Sequence, residues 1–250
     1  MTGMLASVRD ACEARIALDA GVDVIDLKDP AHGALGALAP ETLAGITALV
    51  DGRALVSATT GDLPCEAATL DAAIRRTRAT GVDIVKVGIF AAVPGDAVIR
   101  ALARHAGQGA RIVPVFFAEY WQDAGPFEEL AEAGIAGVML DTADKRGGSL
   151  TERLPVEVLS RFVGRARAAG LMSGLAGSLS AADVPALAAL GPDYLGFRGA
   201  LCRNAERGGS LDPGALAAVL AAVRAHAGPP DITRTQDRRS HDAVAQQREG

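Results

Sequence analysis

Eight short runs of β-forming residues recur along the chain, separated by longer alanine-rich stretches of helical period, and this alternation restricts the fold more than any other feature. The runs are Met4–Val8, Asp23–Lys28, Ala54–Thr59, Asp83–Ile89, Arg111–Phe117, Gly137–Asp141, Leu171–Ala176 and Tyr194–Arg198. Between them apolar positions fall at i, i+3, i+4 and i+7, as in Leu70, Ala73, Ile74, Thr77, in Val98, Ala101, Leu102, His105, and in Leu216, Val219, Leu220, Val223. These are one-faced helices. Several end at a glycine just before the next strand (Gly21, Gly81, Gly134, Gly170, Gly191), where a positive φ can stop a helix. The segments GVDVIDLK and GVDIVKVG also resemble each other, a faint internal repeat.

Alternation of this kind builds parallel βαβ units. Eight of them in 250 residues favour a single closed (β/α)8 TIM barrel, of class α/β, over an open doubly wound sheet, and no GxGxxG follows the first strand. The catalytic barrel is expected over residues 1–228. Residues 229–250 are polar, nearly without apolar anchors, and are expected to form a disordered tail.

Hydrophobic residues make up 49% of the chain but aromatic ones only 4%, so the core must be built from Ala, Val, Leu and Ile. A net charge of −5 and a pI near 5.4 give no basic footprint for nucleic acid or for an anionic membrane. Arg9 and Asp10 interrupt the N-terminus before a signal-like stretch could form, and no later run approaches transmembrane length. A cytoplasmic protein acting on a small molecule is therefore expected. Cys12, Cys65 and Cys202 are odd in number and widely spaced, which suggests neither a disulfide framework nor a zinc knuckle. His32 reads as a solvated loop residue, and His105 and His226 lack metal-ligand spacing. HExxH, GxxxxGK(S/T) and GxSxG are all missing, so no metal and no cofactor is expected.

The chain holds three lysines against 22 arginines, and each lysine lies at or just past the end of an apolar run: DVIDLKDP (Lys28), DIVKVGIF (Lys86) and GVMLDTADK (Lys145). If strand C-terminal ends make up about a tenth of a barrel chain, three chance placements there coincide about once in a thousand. A surface cation can be an arginine, whereas a primary amine can lose its proton and attack a carbonyl. Asp26 and Lys28 share a face at the C-terminal end of the second predicted strand, where barrels build their active sites, and Lys86 occupies the corresponding end of the fourth. Like charge and desolvation would leave one amine neutral near pH 7 as a nucleophile, with the other moving protons. Asp26 and Asp141 supply carboxylates at strand ends, with Lys145 four residues beyond Asp141; the plainer alternative is that they form ordinary ion pairs.

LAGSLS follows the seventh strand and FRGALC the eighth, where barrels commonly bind phosphate through backbone N–H groups. Gly177, Ser178, Arg198 and Gly199 are the expected contacts to a phosphorylated substrate, although glycines after strands are also ordinary turn residues.

The motifs DVIDLKDPAHGALGA, VSATTGDLP, DIVKVGIF, MLDTADKRGGSL, LAGSLS and FRGALC, in this order, resemble the (5-formylfuran-3-yl)methyl phosphate synthase family over nearly the whole chain to about Gly228. The resemblance implies a lyase barrel that condenses two molecules of glyceraldehyde 3-phosphate into 4-(hydroxymethyl)-2-furancarboxaldehyde phosphate, with release of phosphate and two waters. That product is a precursor of the furan in methanofuran-type and methylofuran C1 carriers. It further implies Lys28 as the Schiff-base lysine, Lys86 as the proton acceptor, and Asp26, Asp141 and Lys145 as further active-site positions. His32 stands where archaeal members carry an acidic residue, and Arg203 where they carry a lysine, which leaves the core chemistry untouched. A homo-oligomer is implied by the family, while alanine-rich outer helices suit an oligomer and a monomer equally.

Two other readings start from the same residues. A class I aldolase or transaldolase on phosphorylated sugars would also use a barrel lysine with a second lysine and an aspartate, and would conserve its phosphate groups. A non-catalytic phosphate-ligand-binding barrel would need charge at its mouth but would have no reason to prefer an amine to a guanidinium.

Overall fold

The computed structural model describes residues 1–123 and 125–226; the tail expected at 229–250 lies outside the described residues. Eight parallel strands close into a barrel in sequence order: β1 (Gly3–Val8), β2 (Val24–Leu27), β3 (Leu55–Thr59), β4 (Ile84–Ile89), β5 (Arg111–Phe117), β6 (Gly137–Asp141), β7 (Met172–Leu175) and β8 (Tyr194–Phe197), with β8 pairing back onto β1. The intervening helices are α1 (Ala11–Ala20), α2 (Pro40–Val50), α3 (Ala67–Arg78), α4 (Asp96–Gly107), α5 (Phe127–Glu132), α6 (Leu150–Arg153), α7 (Val156–Ala168), α8 (Val184–Ala189) and α9 (Pro213–His226). The TIM barrel expected from the alternation is the fold.

Parity along each strand divides the core in two. Outward positions such as Met4, Ile25, Val85, Phe116, Leu140 and Leu195 pack against the helices in one aliphatic layer. Inward positions such as Leu5, Val24, Val115, Phe117 and Met139 fill the barrel itself. The helix faces read from the 3.6-residue period are the buried faces of α3, α4 and α9, residue for residue. His105 belongs to that face in α4 and meets Asp71 of α3 at 3.1 Å.

Five strands are one residue shorter than expected at one end or both, and at the starts of β2 and β4 the reason is local. Gly21 and Gly81 take positive φ (75° and 83°) and end the preceding helical segment; the aspartate two residues on then bonds sideways instead of joining its own strand. Asp23 accepts the Met4 N–H at 2.7 Å, Asp83 the Val56 N–H at 2.7 Å, and Asp193 the Ser173 N–H at 2.8 Å. The faint repeat GVD, with GPD before β8, is thus a latch that ties β2, β4 and β8 each to the odd strand before it at the N-terminal rim. Gly134-Ile135-Ala136 occupies the same place before β6 but has no carboxylate to offer.

Candidate active site

At the C-terminal rim, Lys28, Lys86, Asp141, Lys145, Gly177, Ser178, Arg198 and Gly199 line one cavity of about 240 Å³. Of the residues expected at the site, only Asp26 is absent from its wall. It lies fully buried beneath Lys86, whose Nζ donates to its Oδ1 at 2.9 Å. Ser57 Oγ donates to the same oxygen at 2.6 Å, and Ser7 Oγ to Oδ2 at 3.0 Å. The register puts Ser7, Asp26 and Ser57 side by side on β1, β2 and β3, all facing inward. Burial alone would raise the Asp26 pKa, but Lys86, Lys28 and the Ser57 hydroxyl outweigh it and hold the carboxyl below the ordinary value.

Across the mouth, Lys145 Nζ reaches Asp141 Oδ1 at 2.5 Å. Asp141 also accepts the Thr142 N–H at 2.7 Å, and Lys145 and Lys28 together keep it ionised below its ordinary pKa despite burial. The loop that carries Lys145 is held from outside. Glu119 accepts the N–H groups of Ala143 and Asp144 at 2.8 and 2.9 Å, Arg153 bridges Glu119 and Asp144, and Ser149 opens α6 with a capping box.

Lys28 lies between these two pairs and differs from both. It follows β2 directly, is 6% exposed, and its amine has no hydrogen-bond partner among the described residues. Burial depresses its pKa; Asp141 and Asp26 pull it back up, Lys86 and Lys145 push it down, and the balance is about 7. An amine with that pKa is about half neutral at neutral pH and able to act as a nucleophile.

On the β7 side, Gly177 (φ 118°) and Ser178 (φ 49°) turn the chain back over Thr142, against whose atoms any Cβ at residue 177 would stand 2.8–3.1 Å away. The N–H groups of Gly177 and Ser178 donate to none of the described residues, which suits them to a phosphate. Arg198 also lines the cavity, but its guanidinium is bound into the fold. All five of its N–H groups are engaged, two with Glu13 of α1 and the others with the carbonyls of Ser7, Arg207 and Gly209. Its guanidinium has no donor left for a ligand and instead braces the loop after β8. His32 is exposed and pairs with Asp29 at 2.7 Å, as a loop histidine should.

Sequence reasoning missed Ser7, Ser57, Glu119 and Arg207. The two serines could have been found from strand parity, because they are the inward residues level with Asp26. Glu119 and Arg207 lie in loops and gave no periodic signal. Among the described residues no group of three or more His, Cys, Asp or Glu could hold a metal, and no helix is long and apolar enough to cross a membrane.

Comparison with solved structures shows the fold alone: 3-hexulose-6-phosphate synthase from Salmonella typhimurium superposes with a TM-score of 0.65 at 18% identity, covering 90% of this chain and 100% of that one. Sequence relatives go further. A provisionally named (5-formylfuran-3-yl)methyl phosphate synthase from Methylorubrum extorquens is 48% identical over 224 residues, 89% of this chain and 92% of its own. The (5-formylfuran-3-yl)methyl phosphate synthase of Methanocaldococcus jannaschii is 34% identical over 217 residues, 82% of this chain and 92% of its own. The 4-HFC-P synthase family model matches residues 4–220. With the match running from the first strand into the last helix, the chain belongs to the 4-HFC-P synthase family.

Proposed function

We propose that the protein is a lyase that condenses two molecules of glyceraldehyde 3-phosphate to 4-(hydroxymethyl)-2-furancarboxaldehyde phosphate, with Lys28 as the Schiff-base nucleophile. The observation that carries this reading is the unpartnered, buried Lys28 amine, with a pKa of about 7, between two lysine–aspartate pairs. Neutral Lys28 attacks the carbonyl of one triose phosphate and water leaves, giving a protonated imine that draws electrons from the adjacent carbon. The Lys86 amine, hydrogen-bonded to Asp26, takes the proton from that carbon. The enamine adds to the aldehyde of the second triose. Loss of one phosphate, ring closure, hydrolysis of the imine and net loss of two waters yield the aromatic furan, so both trioses are fully accounted for. Lys145, paired with Asp141, lies where it can neutralise the departing phosphate. Gly177, Ser178 and Gly199 offer backbone N–H groups to a phosphate that stays.

Borohydride reduction with glyceraldehyde 3-phosphate, followed by peptide mass spectrometry, tests the mechanism. A triose-derived mass on the Lys28 peptide is expected. An adduct on Lys86 would reverse the two roles, and turnover without an adduct on any lysine would reject the covalent route. Release of one phosphate per furan separates this reaction from a class I aldolase, which conserves both.

A further inference from the structure

Five cations line the cavity, and three of them face a carboxylate: Lys86 with Asp26, Lys145 with Asp141, Arg198 with Glu13. Lys28 is the amine held for chemistry. The fifth, Arg207, makes no direct ion pair among the described residues, although Asp141, Asp62 and Asp29 act on its charge from farther away. It is half-buried, lies in the loop after β8, and reaches across the mouth to the segment that follows Lys28. There Nη1 donates to Pro30 O at 2.6 Å and Nη2 to Gly33 O at 2.7 Å and Ala34 O at 3.3 Å.

These contacts fix the plane of the guanidinium without neutralising it. Asp62 accepts the N–H groups of Ala34 and Leu35 at 2.7 Å, so the same two peptides are gripped by an anion on one side and a cation on the other. Gly33 is required in this grip, since a Cβ there would stand 2.0 Å from Asp62 Oδ2. From behind, the carbonyl of Arg207 accepts Nε of the fully engaged Arg198 at 3.0 Å. After its three carbonyls, Arg207 keeps two N–H groups, Nε–H and one on Nη1, on different edges of a guanidinium that lines the cavity. A charged guanidinium held in place by three carbonyls, with two N–H groups to spare, is suited to phosphate oxygens.

The reaction requires more than one anion site. Two triose phosphates must be present together, and one backbone cradle at Gly177–Ser178 can hold one phosphate. We propose that Arg207 is the anchor for the phosphate of one of the two trioses, at a subsite separate from the β7 cradle; this inference rests on the condensation proposed above. Arg207 thereby links phosphate occupancy to the loop that follows Lys28, since one guanidinium touches both.

The test compares Arg207→Gln, which keeps amide donors for the loop carbonyls but loses the charge, with Arg207→Lys, which keeps the charge. Three quantities are read: KM for glyceraldehyde 3-phosphate, the inhibition constant of inorganic phosphate, and borohydride trapping of Lys28 by unphosphorylated glyceraldehyde. The Gln variant is expected to raise KM and weaken phosphate inhibition at least about tenfold, with glyceraldehyde trapping within twofold of the unaltered protein and most of the loss recovered by Lys. KM and phosphate inhibition unchanged in the Gln variant would overturn the proposal. So would a parallel fall in glyceraldehyde trapping, because Arg207 would then act only by positioning the Lys28 loop. Should Arg207→Gln fail to fold, Arg207→Lys decides alone: phosphate inhibition lost with the charge retained would count against the subsite. Failure of the unaltered protein to release phosphate or form furan would instead reject the proposed condensation.

Discussion

The two lysine–aspartate pairs at the barrel mouth are alike in chemistry and opposite in construction. Lys86 and Asp26 come from neighbouring parts of the barrel wall, 60 residues apart, and their side chains are 3% and 0% exposed. Two serine hydroxyls on flanking strands complete the carboxylate. Lys145 and Asp141 are four residues apart, and the lysine comes from a loop whose shape depends on Glu119 and Arg153 at the surface. Both carboxylates are buried on strands, so the pairs differ in the lysine: Lys86 is fixed by the barrel wall, whereas Lys145 is placed by its loop. A proton carrier needs the former, and a group that follows a departing phosphate can use the latter.

Removing the amines should expose this contrast. Lys28→Met is expected to lower kcat on the order of 10³-fold or more, through loss of the nucleophile. Lys86→Met follows, with a loss of about 10²–10⁴-fold and about 3–5 kcal/mol of stability, because it strands a fully buried carboxylate. Lys145→Met should cost less in both respects, with about 2–3 kcal/mol of stability, since Asp141 is also buried but Lys145 itself is 13% exposed and Asp141 keeps the Thr142 N–H. Steady-state kinetics and chemical denaturation of the three variants rank them, and equal destabilisation by Lys86→Met and Lys145→Met would erase the distinction between pairs.

The pH dependence sharpens the comparison. The acid limb of kcat/KM should titrate at about 7, where Lys28 gives up its proton. Asp141→Asn should move that limb down, and Lys145→Met should move it up, since the carboxylate favours the charged amine and the neighbouring cation disfavours it. Stability responds differently. Lys28 is held at about 7 against an ordinary 10.5, so its burial opposes folding fully below about pH 7 and fades as pH rises to 10.5. Lys28→Met should therefore be more stable than the unaltered protein by about 1–4 kcal/mol near pH 6, with the gap closing towards pH 10. Asp26 and Asp141 work in the other sense. Their folded pKa values lie below the ordinary 3.8, so the stability they contribute above it is lost as pH falls through the folded values.

The serines close the order, because no reacting group is lost with them. Ser57→Ala, which removes the 2.6 Å bond, should cost about 1–3 kcal/mol, and Ser7→Ala, at 3.0 Å, somewhat less. Thermal melts of both variants check the order.

Period and punctuation carried the strands, the helix faces and the lysines, because a side chain on a regular element has its direction set by its place in the repeat. Asp26 and Lys28 could be placed together for that reason. For Arg198 the sequence shows a cation next to a glycine turn and hides Glu13, 185 residues away, which takes up the charge. Arg207 and Glu119 were invisible for the converse reason: their partners lie 173–177 and 24–25 residues away in loops, and no local pattern announces such contacts.

The glycine-to-aspartate latches have a consequence for how the barrel can be cut. They join β1 to β2, β3 to β4 and β7 to β8, so the staves are fastened in pairs at the end opposite the chemistry. A circular permutant opened at Gly52–Arg53, Gly109–Ala110 or Gly170–Leu171 leaves every pair whole. One opened at Gly81–Val82 parts Asp83 from Val56 in chain order and must recover that bond by reassembly. Permutants of the first kind are the ones expected to refold, making the paired stave the unit in which this barrel can be rearranged.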